Sequence, residues 1–243
     1  MTNKSSDLVS IIIPVYNASL YLRETIDSVI SQSHSNWELF LVNNCSTDGS
    51  AAIIDDYCFK DSRILRLDTE FNTGGPSVPR NLGASIANGQ FLAFLDADDC
   101  WKLEKLALQL EFMNETQADI VHCGASIINS ASQQIGNRNN FKKFKYIDLF
   151  LGQSNTLMIF NPIILSSALL KNTPEVLFRE DTQFHAIEDW LLWIELSLRG
   201  KKIRMNTGNL LSYRIHDNSA SSLDGEKQYL KGFYLYSLLL VEN

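Results

Sequence analysis

Hydrophobic positions along the first half of the chain switch period in a regular order. Residues 8–13 form a short apolar run rich in β-branched side chains that stops at Pro14, which predicts a strand. Leu22, Ile26, Val29 and Ile30 then recur at helical spacing. A second strand-like run at 37–42 is cut off by the polar cluster 43–49, and 51–59 predicts a second helix. A weaker strand is expected at 64–67 and a stronger one at 91–95. Gly74, Gly75 and Pro76 mark a loop, and Pro79 sits where the first turn of a helix tolerates proline. Leu103, Leu106, Ala107, Leu110 and Met113 form another helical stripe, and 120–128 closes the unit as a strand.

The second half is less regular. Residues 129–147 are polar, and the basic, Asn-rich run at 137–145 reads as a solvated loop. Ile187, Trp190, Leu191, Ile194 and Leu198 predict a helix with Glu188 and Asp189 in its first turn. Short strands are expected at 203–205 and 210–215, and a terminal helix at 228–241. No repeat interrupts the pattern, so one continuous α/β domain is expected. The regular alternation spans residues 1–128, and 129–243 form the less regular part. Alternating strands and helices with short links imply parallel units with right-handed crossovers. Ligands in such sheets bind beyond the C-terminal strand ends. That rule brings 14–17, 43–48 and 96–99 to one edge.

Composition narrows the partners. Twenty-one basic against 28 acidic residues give a net charge of −7, which argues against nucleic acid as a partner. The four cysteines form no C-x-x-C pair, so neither a zinc site nor a disulfide scaffold is expected. Reduced thiols suit a reducing compartment. The first six residues are polar, and no run approaches the length of a membrane span. The expectation is a cytoplasmic, soluble protein, with peripheral contact at the inner face of the membrane and a homodimer both left open.

Three carboxylates, Asp96, Asp98 and Asp99, directly follow an apolar strand. Carboxylates this close repel one another unless they share a cation. Mg²⁺ and Mn²⁺ suit oxygen ligands and are commonly held by one or two carboxylates plus substrate phosphates. Asp189 is a candidate general base, although a carboxylate at a helix start is favoured by the helix dipole whatever its function. Glu188 would orient it or stand exposed. His216 follows Tyr213-Arg214-Ile215 at a strand end, as a ligand or as a structural histidine. Arg214 suits phosphate pairing or an ordinary ion pair. The chain has no G-x-G-x-x-G after its first strand, no P-loop and no G-x-S-x-G elbow.

These residues together resemble the family 2 glycosyltransferases, an inverting family with the GT-A fold. The resemblance rests on motifs in order: Val9 through Asn17, Gln32-Ser33, Asn36-Trp37-Glu38-Leu39 and Ser46-Thr47-Asp48-Gly49-Ser50. Next come Asn72-Thr73-Gly74, Arg80-Asn81, Leu95-Asp96-Ala97-Asp98-Asp99 and Glu188-Asp189-Trp190. Tyr213-Arg214-Ile215-His216 with Ser219 and Ser222 closes the series, which covers about residues 8–222.

The resemblance implies roles, with residues 1–128 as the donor-binding half and 129–243 as the acceptor-binding and catalytic-base half of one continuous domain. Pro14, Val15, Tyr16 and Asn17 would line the nucleotide, with Asn43, Asn44, Arg80, Asp96 and Ala97. Asp98 would be the main ligand of Mn²⁺ or Mg²⁺, with Asp96 and His216 beside it, and Asp189 the catalytic base. The implied partners are a nucleotide-sugar donor, a uridine one first, and a saccharide or lipid-linked saccharide acceptor of bacterial surface-polysaccharide type. One departure concerns the base. Where the family usually has an Asp at 43 or 44 to meet the N3–H of uracil or thymine, this chain has two asparagines. An Asn oxygen still accepts that bond but without charge assistance. The residues by themselves leave two alternatives, a nucleotidyltransferase and a non-catalytic nucleotide-sugar or carbohydrate-binding module.

Overall fold

Strand β1 (Val9–Val15) is the spine of the fold, and its side chains alternate between two cores. In the computed structural model, which describes residues 7–138, 153, 157 and 160–216, both faces of this strand are covered. Val9, Ile11, Ile13 and Val15 pack on one side with Leu22, Ile26 and Val29 of α1 (Leu22–Ile30) and Ile53 and Ile54 of α2 (Ser50–Lys60). Ile12 packs on the other side with Phe40, Phe94, Trp190, Leu191 and Ile194. Ser10, fully buried within the strand, donates to Glu38 at 2.6 Å and accepts from the Gly89 N–H at 2.8 Å.

Three strands join β1 in parallel. They are β2 (Trp37–Asn43), β3 (Ile64–Asp68) and β4 (Phe91–Phe94), in the spatial order β3-β2-β1-β4. Pro14 does not stop β1; it lies within it, because pairing with β4 ends at Ile12↔Phe94. The missing proline N–H falls where no ladder bond is due. Helix α3 (Ser77–Ser85) carries Pro79 in its first turn, as expected.

Beyond β4 the sheet becomes mixed, and here the structure adds strands that hydrophobic patterning does not show. These are β5 (Cys100–Trp101), β7 (Gln134–Arg138) and β8 (Leu169–Lys171). With β6 (Ile120–Ile128) and β9 (Ile203–Arg214) they complete a nine-stranded sheet among the described residues. The solvated loop expected at 137–145 is therefore partly wrong, since its first two residues belong to β7, which pairs antiparallel with β6. The remainder of the basic run, 139–145, lies outside the described residues, as do Ser219, Ser222 and the expected terminal helix. The two short strands expected at 203–205 and 210–215 are one strand. Its pairing with β6 skips from Cys123↔Asn206 to Gly124↔Asn209, so the polar residues that seemed to separate two strands form a bulge.

Helix α4 (Lys105–Thr116) packs into the first core and helix α5 (Glu188–Leu198) into the second. Buried donors from α4 and β5 fix a 3₁₀ turn at Leu165–Ser167. Trp101 Nε1 donates to the Ser166 carbonyl at 2.8 Å, Gln109 Nε2 to that of Ser167 at 2.8 Å and Lys105 Nζ to that of Ala168 at 3.4 Å. Among the described residues no helix is long and apolar enough to cross a membrane.

Helix α3 meets β1 through Gly83. A Cβ there would stand 2.7 Å from Ile12 Cγ2. Gly83→Ala is expected to destabilise the fold by about 1–3 kcal/mol through overpacking, despite alanine's better helix propensity. Urea unfolding checks this, and an unchanged midpoint would contradict it.

Candidate active site

The parallel strands end on one edge, and the loops that leave them are tied together there. Asn17 Oδ1 accepts from the Thr47 N–H at 2.8 Å, and Asn17 N–H donates to Ser46 Oγ at 3.2 Å. Asp48 Oδ2 accepts from the Ser19 N–H at 3.0 Å and Oδ1 from the Ser50 N–H at 2.9 Å. These bonds outweigh partial burial and hold the Asp48 carboxyl down at about 2. The Val15 side chain is in the core, whereas the Tyr16 ring is 51% exposed. Tyr16 is thus the residue of the first loop that offers an aromatic face.

The aspartates after β4 have separate environments. Asp96 accepts at Oδ1 from Arg80 at 2.7 Å, and its N–H donates to Ser166 Oγ at 3.1 Å. Asp98 Oδ2 lies 2.9 Å from His216 Nε2. Burial, then the Asp96 charge, pushes the Asp98 carboxyl up, and His216 opposes the shift. Asp99 is buried and accepts from the Arg214 N–H at 2.9 Å. Burial and the charges of Asp98 and Asp96 drive its carboxyl well above the usual range.

Arg214 is the scaffold behind this loop. Its guanidinium is buried and donates to the Asp98 carbonyl at 2.7 Å, Glu24 at 2.6 Å and Ser132 Oγ at 2.9 Å. It also stacks 4.5 Å from the centre of the Tyr21 ring, and Tyr21 in turn packs 5.1 Å from His216. Of the two readings open for Arg214, the structure supports the ion pair.

Arg80 links this loop to α5. It is 3% exposed, and its second terminal nitrogen donates to Glu188 at 2.8 Å. Glu188 is buried rather than exposed, and Asp189 follows it in the first turn of the helix. Asp189 is half-buried, with its carboxyl raised to about 7 by burial and by the Glu188 charge, against the pull of Arg80. At that value it is poised to take up a proton near neutral pH.

The sequence model of the family described as Glycosyl transferase family 2 matches residues 10–172. The chain belongs to that family. It is 34% identical over 215 residues to the teichuronic acid biosynthesis glycosyltransferase TuaG of Bacillus subtilis, covering 88% of this chain and 82% of that protein. It is 32% identical over 216 residues to WfgD of Escherichia coli, a UDP-Glc:alpha-D-GlcNAc-diphosphoundecaprenol beta-1,3-glucosyltransferase, covering 88% and 80%. Residues 1–349 of S. aureus TarS, solved with UDP-GlcNAc, superpose with a TM-score of 0.74 at 22% identity, covering 95% of this chain and 65% of that one. The fold is therefore GT-A and the protein is a glycosyltransferase, which sets aside the nucleotidyltransferase and the binding module.

Within this glycosyltransferase several residues named from sequence are held by protein partners. Both terminal nitrogens of Arg80 are engaged by carboxylates, so it reaches the site through Asp96 and Glu188. Asn43 donates to Asp68 at 2.8 Å and accepts from the Ser46 N–H at 3.1 Å. Asn44 is buried, and its Oδ1 accepts from Thr69 Oγ1 at 2.9 Å and the Thr73 N–H at 3.0 Å. Both asparagines thus pin the loops around the edge. The Ala97 carbonyl accepts from Thr25 Oγ1 at 2.9 Å. The glycine-rich loop also finds an account, since a Cβ on Gly75 would stand 2.5 Å from His185 Nε2.

Sequence reading missed Asn161, whose Nδ2 donates to Asp189 Oδ2 at 3.2 Å. Its only signal is an Asn-Pro step that starts a turn. It also missed Ser166.

Arg80→Ala is expected to cost about 3–5 kcal/mol, because it strands Glu188 and Asp96 without their cation. Urea unfolding measures it; a loss below about 1 kcal/mol would show the bridge to be worth no more than a surface pair.

Proposed function

We propose that this glycosyltransferase moves a sugar from a nucleoside diphosphate donor to a saccharide or lipid-linked saccharide in cell-surface polysaccharide synthesis, by a metal-dependent, inverting displacement. The observation that carries the reading is the chain Asp96–Arg80–Glu188, which ties the aspartate loop to the helix bearing Asp189. A donor-binding loop and a base are thereby fixed relative to one another, as a single displacement requires.

Asp189 acts as the general base. It takes the proton of the acceptor hydroxyl while that oxygen attacks the anomeric carbon. The bond from the anomeric carbon to the diphosphate breaks on the opposite face, so the configuration inverts. Tyr16 offers the exposed ring against which a nucleobase stacks.

Asp98 and His216, with Asp96 beside them, are the residues that would hold Mn²⁺ or Mg²⁺. Among the described residues no three acidic, histidine or cysteine side chains form a complete cage. The Asp98–His216 pair still fits such an ion, because one or two protein ligands with diphosphate oxygens make an ordinary magnesium-type site. When bound, the cation offsets the negative charge that develops on the departing diphosphate. A uridine donor is favoured by the relatives, since WfgD is named for UDP-Glc and TarS was solved with UDP-GlcNAc.

Calorimetry of UDP with and without Mn²⁺ tests the donor site. Mn²⁺ is expected to tighten UDP binding at least about tenfold, roughly the 1.4 kcal/mol of one added charge-assisted contact. Asp98→Ala should erase that enhancement; its survival would place the metal ligand elsewhere.

Asp189→Asn is expected to keep UDP binding and to lower transfer by about 10²-fold or more. Equal losses of binding and transfer would overturn the base assignment.

A further inference from the structure

Asp189 is held from outside its helix as well as within it. Its Oδ1 accepts from the Trp190 N–H at 2.6 Å, and its Oδ2 accepts from Asn161 Nδ2 at 3.2 Å. The orientation of the Asn161 amide is fixed independently, because its Oδ1 accepts from the Ile163 N–H at 3.1 Å. That bond turns the amide NH₂, and not the oxygen, toward Asp189.

The segment that carries Asn161 is anchored on the donor side. Ser166, on the 3₁₀ turn that follows, is fully buried and takes the Asp96 N–H on its hydroxyl at 3.1 Å. Its carbonyl is gripped by Trp101 Nε1 at 2.8 Å. Residues 161–166 therefore touch the base at one end and the aspartate loop at the other.

We propose that Asn161 is the positioning residue of Asp189, holding its carboxylate oriented from a strap anchored on the aspartate loop. The proposal rests on the reading of Asp189 as the base. The physical need is plain: a base must be fixed to within about 0.5 Å of its working position. A carboxylate that lies beside a second carboxylate needs donors to stay charged. The groups facing Asp189 are Glu188 on its own helix, Arg80 from α3, Asn161 and the Trp190 N–H. Burial and Glu188 raise its carboxyl; Arg80, Trp190 and Asn161 pull it down. A carboxylate has about four lone-pair sites, so two bound donors leave capacity for the acceptor proton.

The test is a carboxyl-carbon NMR titration of the full chain labelled at aspartate, with Asp189 assigned by its loss in Asp189→Asn. Its midpoint is expected near 7 in the wild type. Asn161→Ala removes a donor to the charged form, so the midpoint should rise by about one unit. Asn161→Asp, isosteric but facing Asp189 with a second carboxylate, should raise it further. The acid limb of the transfer rate should move with the midpoint, while calorimetric affinity for UDP with Mn²⁺ stays within about twofold of wild type. An unmoved midpoint in both variants would overturn the proposal, as would a matching loss of UDP affinity, which would mark Asn161 as structural. Full transfer by Asp189→Asn would instead overturn the base reading and leave the titration result standing.

Discussion

The site depends on one guanidinium taken out of water. Arg80 stays charged in any environment, and burying such an ion costs several kcal/mol unless partners replace its hydration. Asp96 and Glu188 supply them at 2.7 and 2.8 Å, and the Phe178 ring lies 5.3 Å from the cation. The exchange runs both ways. Glu188 is buried next to Asp189, and without a cation two adjacent carboxylates in that position would drive each other to protonate. Arg80 absorbs the charge of Glu188, so the start of α5 tolerates a second acid. It also holds one oxygen of Asp96, the first acid of the aspartate loop.

Arg214 does the corresponding work at the back of the aspartate loop. It comes from the end of β9, a strand formed late in the chain, and braces the Asp98 carbonyl and the Asp99 carboxylate laid down by the first half. The ion pairs and the shared sheet thus join the early and late parts of the chain into one body. Asp99 lies deep behind the loop, where burial and the charges of Asp98 and Asp96 push its carboxyl well above the usual range.

Most of the fold was legible because long elements advertise themselves. The first strands and α1, α2, α4 and α5 follow from periodicity, to within a few residues at their ends. What escaped were short strands held by backbone pairing rather than by an apolar stripe. Two residues of β5 and three of β8 carry no periodicity, and polar β7 has none to show. The β9 bulge looked like a gap for the same reason. At the site, the aspartates, Asp189 and His216 were legible as a family pattern, and the structure brings Asp98 and His216 into contact. The commitments of Arg80, Asn43, Asn44 and Asn161 were not legible. Each depends on a partner dozens of residues away, and a buried amide or guanidinium reads in sequence like an exposed one.

The two asparagines at the end of β2 are not equivalent. Asn43 offers its NH₂ to the carboxylate of Asp68, which Arg66 also grips, so a carboxylate at position 43 would face another at hydrogen-bond range. An amide at position 43 avoids that repulsion. Asn44 is different: its oxygen serves donors from Thr69 and Thr73, and its NH₂ has only the Gly75 carbonyl at 3.4 Å. A carboxylate would satisfy the same donors. Local packing therefore leaves this position free to vary in charge while its neighbour is locked. An exchange of amide for carboxylate at position 44 would change the charge at this edge of the sheet without the loops around it having to be rebuilt.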